Sequence, residues 1–372
     1  MNILEVVNGY PPDDLAGVPK HVDALVHNLD SEQYCACVLA AVKKAEPNAT
    51  VPVFRTFTFP FAFVPYAKRF KHRYFSWSVR WTGLRLCRLK KIDIIHGHTW
   101  PYGGRQAIAL GQKNSLPVVV TLHGMTLDPY SEDNPPEWLK SLSQAAYIIV
   151  QKQSAREKLI RWGIPEARTA VIVGPVDSEY YSYDNGLDLA ENNILFAGRL
   201  DPVKNPLIIP EIAQQLNNGK ANYKLIVAGD GPMRKQLHEM VTERNLEACV
   251  NLLGWVDDMR KVYAKSRFFL ALSETHNSSD LTLLEAMSCG LIPIVVDSPG
   301  ISEIITDRQN GFICKKSPVD IVAKIHEAMQ FDDLRRISEN ARQAAINVAG
   351  IKLFSQKHQS VFDHVYNNSV RS

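Results

Sequence analysis

The feature that most constrains this chain is a repeated alternation. Short apolar runs of strand length are separated by amphipathic stretches of helical period, and the whole series occurs twice. In the first half the predicted strands are Asn2–Val7, Asp93–His96, Val118–Leu122, Tyr147–Val150 and Ala170–Val173, with helices at Val18–Leu29, Gly103–Lys113 and Pro136–Ser143 between them. A polar stretch, Asp177–Asn193, rich in Asp, Tyr, Ser and Asn, interrupts the pattern and reads as a linker. The series then restarts with strands Ile194–Ala197, Lys224–Ala228, Val250–Leu253, Phe268–Leu272 and Ile292–Val296, and helices Pro206–Leu216, Met233–Asn245 and Leu281–Ser288. Residues Val319–Tyr366 are helical by pattern. Strands alternating with helices build βαβ units, hence parallel sheets covered on both faces. The expected class is therefore α/β, with two doubly wound domains facing each other across a cleft. A length of 372 residues suits two domains and is too great for one ordinary domain.

Composition narrows the function. Charged residues make up 22% and no apolar run reaches the roughly 18 residues of a membrane span, which argues against disorder and against an integral membrane protein. The start, Met1-Asn2-Ile3-Leu4-Glu5, has neither a basic n-region nor a long apolar h-region, and predicts a cytosolic chain. Cys35, Cys37, Cys87, Cys249, Cys289 and Cys314 form no C-x-x-C pair, so buried thiols are expected rather than disulfides or a zinc knuckle. The net charge of +3 conceals an asymmetry: Pro47–Ile92 holds ten basic residues and no acidic one, which leaves −7 for the rest. One cationic block on an acidic protein implies one anionic contact and argues against general nucleic-acid binding.

The loops carry the chemistry. The first strand leads through Asn8–Gly17 into a helix, and a helix N-terminus with a glycine beside it suits an anion. There is no G-x-G-x-x-G and no P-loop, so neither a dinucleotide fold nor a P-loop NTPase is supported. In the second half, Gly198-Arg199-Leu200-Asp201-Pro202-Val203-Lys204-Asn205 follows the first strand. Gly198 frees the backbone, while Arg199 and Lys204 can hold a diphosphate, one as a fork and one as a point charge. Glu285, on an otherwise apolar helix turn, needs a partner and can accept hydrogen bonds from a ribose diol. His96 and His98 share one strand face, but no third metal ligand is suggested, and no metal is expected.

In order along the chain, the motifs are Gly17, Asp93-Ile94-Ile95-His96-Gly97-His98, Val120-Thr121-Leu122-His123-Gly124, Val176-Asp177 and Gly198-Arg199-Leu200 with Lys204. They continue as Val227-Ala228-Gly229-Asp230-Gly231-Pro232, Gly254-Trp255-Val256, Leu284-Glu285-Ala286-Met287 with Gly290 and Pro293, then Glu303 and Gly311. Nearly end to end, this set resembles a family-four glycosyltransferase of the GT-B type, with two Rossmann-like domains around a nucleotide-sugar cleft. The resemblance implies a retaining, metal-independent transfer with no cofactor, from a nucleoside diphosphate sugar to a glycan or lipid-linked acceptor. It implies that Arg199 and Lys204 bind the donor diphosphate with help from Gly17 and Gly198. Glu285 would hold the ribose, Trp255 and Val256 would frame the base, and His123 would touch the transferred sugar. Asp280 and Leu281 would complete the donor contacts. The expected division is an acceptor-side domain 1–176, a linker 177–193, a donor domain 194–348 and a C-terminal helix 349–372 that packs back on the first domain.

One position departs from the family pattern. A glutamate is expected eight residues before Glu285, and Asn277 stands there. Either Asn277 takes the acid's place or Glu274 reaches in; Asn can bond sugar hydroxyls but carries no charge. The departure also admits a nucleotide-sugar-binding subunit, and the fold admits a sugar-nucleotide epimerase. The segment Phe54–Trp81 holds 11 of the chain's 33 aromatics within the cationic block. Basic and aromatic residues together suit anionic lipid headgroups, so Lys68, Arg69, Lys71 and Arg73 are expected membrane contacts of a peripheral enzyme.

Overall fold

The computed structural model describes residues 1–14, 17–47, 49–56, 68–124, 127, 130, 134–182, 193–217, 223–273 and 281–371, with the side chains of 68–75, 101 and 371 left out. The chain divides into two compact units, one of Met1–Pro175 with Ile351–Ser372 and the other of Val176–Gly350.

The first unit is built on a seven-stranded parallel sheet. Its strands are β1 (Asn2–Val6), β2 (Cys35–Ala40), β3 (Val53–Arg55), β4 (Ile94–His98), β5 (Val118–Thr121), β6 (Tyr147–Val150) and β7 (Thr169–Val171), in spatial order β3-β2-β1-β4-β5-β6-β7. The order reverses between β1 and β4, and in such sheets the crevice at the carboxyl ends of those strands receives ligands. Alternation sorts the strand residues into two layers. Leu4, Val6, Ile95, Val118 and Val120 pack with residues of α2 (Lys68–Leu89) and α3 (Gly104–Asn114), including Val79, Leu86 and Ala107. On the other face Ile3, Ile94, Val119 and Ile149 pack with Leu25 of α1 (Gly17–Asn28) and with Phe354 and Phe362 of the C-terminal helix, Ile351–Arg371. A Cβ at Gly97 would lie 2.6 Å from Ala107 Cβ, so a glycine there lets α3 sit directly on β4. Among the described residues this unit also has the α-helices α4 (Leu139–Leu142) and α5 (Gln153–Arg161).

The second unit has six parallel strands: β8 (Asn193–Ala197), β9 (Lys224–Ala228), β10 (Val250–Gly254), β11 (Phe268–Ala271), β12 (Ile292–Val296) and β13 (Phe312–Cys314). Their order, β10-β9-β8-β11-β12-β13, reverses between β8 and β11. This is the Rossmann order. Helices α6 (Ile209–Asn217), α7 (Arg234–Glu243), α8 (Arg260–Tyr263), α9 (Leu281–Ser288), α10 (Pro318–Met329) and α11 (Leu334–Ala349) complete it, and α12 is the Ile351–Arg371 helix of the first unit. Helix α10 starts with Ser317 accepting from the Asp320 N–H at 3.1 Å and Pro318 in the first turn, a standard stop-free entry. The segment read as a linker is partly attached to this unit: Ser288 Oγ donates to the Tyr181 carbonyl at 2.9 Å. Residues 183–192 lie outside the described residues. Among the described residues, no helix is long and apolar enough to cross a membrane.

Candidate active site

In the second unit, three loops leave the carboxyl ends of β8, β9 and β10 and are joined through their backbones. Gly198 N–H donates to Ala228 O at 3.0 Å, Leu200 N–H to Asp230 O at 2.9 Å and Gly229 N–H to Gly254 O at 2.7 Å. Close approach is possible because Gly229 has φ +147° and no Cβ; one built there would fall 1.9 Å from Gly198 O. The β8 loop is then organised by Asp201, which is buried. Its Oδ2 accepts from Arg199 Nε at 2.5 Å, and its Oδ1 accepts from the Lys204 backbone N–H at 3.1 Å. Arg199 keeps 67% of its side chain exposed, and the Lys204 stem lies 3.9 Å from where a Cβ on Gly198 would be. Two cations therefore stand beside one strand end, with one carboxylate ordering the turn that carries them.

Helix α9 borders the same strand end. Thr282 Oγ1 in its first turn donates to the Ala197 carbonyl, the last residue of β8, at 3.2 Å. Glu285, one turn on, is buried and accepts from the Tyr263 hydroxyl at 2.9 Å. The Tyr181 hydroxyl also bonds it. Burial and then the Glu285 charge raise the pKa of both phenols, so both remain O–H donors to the carboxylate. The structure thus brings Gly198, Arg199, Lys204, Leu281 and Glu285 around the point where the strand order reverses. Trp255 and Val256 follow β10, two strands away; Trp255 is exposed and its Nε1 donates to Asp257 Oδ1 at 2.8 Å. Asn277, Glu274 and Asp280 lie outside the described residues. Sequence reading missed Asp201, Tyr263 and Tyr181. The first had a visible signal, an acid between two cations in one turn.

The first unit holds a second constellation, on the α1 and α12 side of its sheet. Glu5 of β1 is fully buried, as are His96 and His98 of β4. Glu5 Oε2 lies 2.6 Å from His98 Nε2 and 3.0 Å from His96 Nδ1. His96 Nε2 meets Thr121 Oγ1 at 2.8 Å, and His98 Nδ1 meets His123 Nε2 at 3.1 Å. Helix α1 brings His21 edge-on to His123, ring centroids 4.6 Å apart, and Gly17 begins that same helix. His358 of α12 closes the cluster, 5.8 Å from the His21 ring. Burial would raise the Glu5 carboxyl, but the His96 and His98 rings outweigh it and bring it to about 2. Burial pushes His98 down to about 4 and His358 to about 3, and takes His21 and His123 well below their ordinary value. His21, His98 and His123 each offer a ring nitrogen within 4.8 Å of the others, as do Glu5, His96 and His98 with their ligand atoms, so the third metal-ligand candidate that sequence lacked is present.

The expected lipid contacts fall on α2. The backbone of Lys68, Arg69, Lys71 and Arg73 is helical, and their side chains lie outside the described residues. Further along, Trp77, Trp81, Arg85 and Arg88 are exposed at spacings of four, four and three, which places them on one stripe of the helix.

The shared architecture is that of the GT-B fold. A sucrose-phosphate synthase from Thermosynechococcus elongatus superposes with a TM-score of 0.78 at 17% identity, covering 99% of both chains. The Anabaena protein HepE, in complex with UDP and glucose, gives 0.76 at 20% identity, covering 97% of this chain and 99% of its own. In sequence, residues 15–180 match the Glycosyltransferase Family 4 model and residues 177–344 the model of glycosyl transferases group 1. N-acetyl-alpha-D-glucosaminyl L-malate synthase of Bacillus anthracis is 31% identical over 300 residues, 76% of each chain. UDP-Gal:alpha-D-GlcNAc-diphosphoundecaprenol alpha-1,3-galactosyltransferase of Escherichia coli is 27% identical over 286 residues, 71% of this chain and 73% of that one. The chain belongs to the family-4 glycosyltransferases.

Proposed function

We propose that the chain is a retaining hexosyltransferase. It moves a hexose from a nucleoside diphosphate sugar to a glycan or lipid-linked glycan acceptor, in the synthesis of a cell-envelope polysaccharide. The observation that carries this reading is the β8 loop, where Asp201 orders a turn bearing Arg199 and Lys204 beside the start of α9. When the bond between the anomeric carbon and the diphosphate oxygen breaks, negative charge accumulates on the departing phosphate. Fixed cations at that point stabilise the transition state more than the bound donor, which accelerates the step. In this reading those cations carry the work, and neither a metal nor a cofactor is assigned a part. Glu285, oriented by two phenols, receives the ribose hydroxyls. Gly17 supplies N–H groups toward the phosphates, Trp255 and Val256 border the base, and His123 meets the transferred sugar. Asn277 or Glu274, with Asp280, completes the sugar contacts. The relatives support the acceptor class, since the E. coli enzyme named above acts on a diphosphoundecaprenol-linked sugar. The same reading places the enzyme in the cytoplasm, peripheral on the inner face of a membrane, through α2.

The test combines binding and turnover. A thermal-shift screen across nucleoside diphosphates finds the base, because a ligand bound only to the native state raises its stability by mass action. Diphosphate release is then followed with the matching nucleotide sugars. Arg199→Ala and Lys204→Ala each lower turnover by roughly 10²–10³-fold while the fold survives, the size seen when one donor to a developing oxyanion is removed. Full turnover in both variants refutes the assignment.

A further inference from the structure

We infer that Glu5 and His98 form a buried relay that sets the tautomer of His123, placing its proton on Nε2 and leaving Nδ1 as the accepting nitrogen. The inference rests on the reading above in one respect only, that His123 meets the transferred sugar.

The proton positions follow from counting donors and acceptors. An ionised carboxylate only accepts. Glu5 Oε2 is 2.6 Å from His98 Nε2, so the proton between them belongs to Nε2. His98 is neutral near pH 7, because burial holds it at about 4. A neutral imidazole with a proton on Nε2 has a lone pair on Nδ1. That lone pair faces His123 Nε2 at 3.1 Å, so Nε2 of His123 is the donor. His123 is also held neutral by burial, and its Nδ1 must then be the acceptor. His96 supports the assignment: after burial, its neighbouring ring is the next cause that holds His98 down, and its Nδ1 faces Glu5 while its Nε2 faces the Thr121 hydroxyl.

The relay reaches from the middle of β1 to the loop after β5. Glu5 pairs in register with His96, and His98 with Thr121, so the groups are placed by the ladder itself rather than by flexible loops. His21 packs perpendicular to the His123 ring and His98 lies on its other hydrogen-bonding edge, which fixes the ring plane as well as the tautomer. A sugar hydroxyl meeting Nδ1 would have to donate. Its oxygen is then more electron-rich, and the contact orients the ring whose anomeric bond breaks. Glu5 and His98 touch no substrate in this scheme; they are positioning residues.

A cation is the competing occupant. Ring nitrogens of His21, His98 and His123 fall within 4.8 Å of one another, and among the described residues His21 has no hydrogen-bond partner at either nitrogen. A metal would displace the proton shared by His98 and His123, so the two readings exclude each other.

The experiment is ring-nitrogen NMR on the full chain labelled with 15N-histidine at pH 7.5, His123 being assigned by its loss in His123→Gln. The expected spectrum shows His123 with a protonated Nε2 and an unprotonated Nδ1. A proton on Nδ1, or a mixture of tautomers, overturns the relay whatever the activity does. Zinc sulfate added to one equivalent should leave both rings unshifted; saturable shifts of His98 and His123 overturn the relay in favour of a metal site. Diphosphate release supplies the functional arm. Glu5→Leu removes the acceptor and should lower kcat by roughly tenfold or more with little change in KM for the donor. Glu5→Gln keeps a carbonyl that can accept from His98 and should recover most of that loss. Equal losses in both variants overturn the positioning role. If Glu5→Leu fails to fold, the wild-type spectrum and Glu5→Gln still decide. Full release by His123→Ala overturns the sugar contact and leaves the tautomer to the spectrum, which separates the two claims.

Discussion

Acid should destabilise the first unit well above the pH at which Glu5 takes up its proton. His98 is held at about 4 and His358 at about 3 in the folded chain, against an ordinary value of 6.5. The unfolded state therefore binds more protons than the folded state once the pH drops below 6.5. Unfolding free energy then falls with pH, until each folded value is reached. From pH 7.5 to 5.0 each of these two histidines withdraws about 2 kcal/mol, and the pair about 4 kcal/mol. His21 and His123 are shifted in the same direction by burial and add to the loss. Glu5 behaves differently. Its carboxyl sits at about 2, against 4.5, so its contribution is intact above pH 4.5 and is lost only as the pH falls from there toward 2. A loss of 4 kcal/mol is a large part of the roughly 5–15 kcal/mol that holds a domain together.

The assay is urea unfolding of the full chain carrying Trp255→Phe. The other five tryptophans, Trp77, Trp81, Trp100, Trp138 and Trp162, all belong to the first unit, so fluorescence then reports that unit alone. The midpoint should fall steeply between pH 6.5 and 5. His358→Leu removes one titrating group, and among the described residues the His358 Nε2 has no partner to lose. That variant should retain about 2 kcal/mol more of its pH 7.5 stability at pH 5. A flat midpoint across this range, or an unchanged loss in His358→Leu, would refute the claim that these rings are buried and neutral.

Three further outcomes test the rest of the structure. Gly229→Ala sets a Cβ against Gly198 O at a backbone angle of +147°, and should cost at least about 2 kcal/mol of second-unit stability in urea, with loss of nucleotide binding. Tyr263→Phe removes one donor from buried Glu285 and should cost about 1–3 kcal/mol in the same measurement, with a raised KM for the donor; no change in either would mean the carboxylate is satisfied without it. Cosedimentation should detect binding to vesicles containing anionic lipid, weakened by high salt and by Lys68, Arg69, Lys71 and Arg73 changed together to Ser. Each basic residue near the leaflet contributes about 1 kcal/mol at most. Trp77→Ser with Trp81→Ser should lower the residual binding that survives salt, and equal binding to neutral vesicles would rule out the charge term.

Sequence was most informative where local punctuation and burial coincide. Helix α9 is found at Leu281–Ser288, the range read from its apolar run and the following Gly290, whose φ of +80° is what a helix stop requires. The strands that begin each half were also legible, because Ile3-Leu4 with Val6-Val7, and the unbroken Ile194–Ala197, are short apolar stretches that suit a central parallel strand. Three strands were not. Cys35–Ala40 has one β-branched residue, and Val53–Arg55 and Phe312–Cys314 are three residues long. They are strands because a neighbour pairs with them: β2 aligns residue by residue on β1, β3 on β2 and β13 on β12. Such pairing is set by distant chain, and a local window carries no trace of it.

The same division runs through the two sites. That Glu285 needed a partner followed from its apolar surroundings, yet the partners could not be named. Tyr263 lies on a four-residue helix, and Tyr181 in a stretch whose polar composition looked like linker. Glu5 is the sharper case. A carboxylate in the middle of Asn2-Ile3-Leu4-Glu5-Val6 occupies a strand that is buried from Ile3 onward, where an unpaired charge costs several kcal/mol. Two histidines on one face of a later strand were the available answer. Strand β4 must lie beside β1 once the order reverses there, and alternation then puts His96 opposite Glu5 and His98 one step further along the same face. Burial cost, strand alternation and the switch in strand order would together have assembled Glu5, His96 and His98 from sequence. His21 and His358 could not have been added that way. They arrive on helices whose rotation about the sheet is settled by packing of Leu25, Phe354 and Phe362, and that packing belongs to the folded whole.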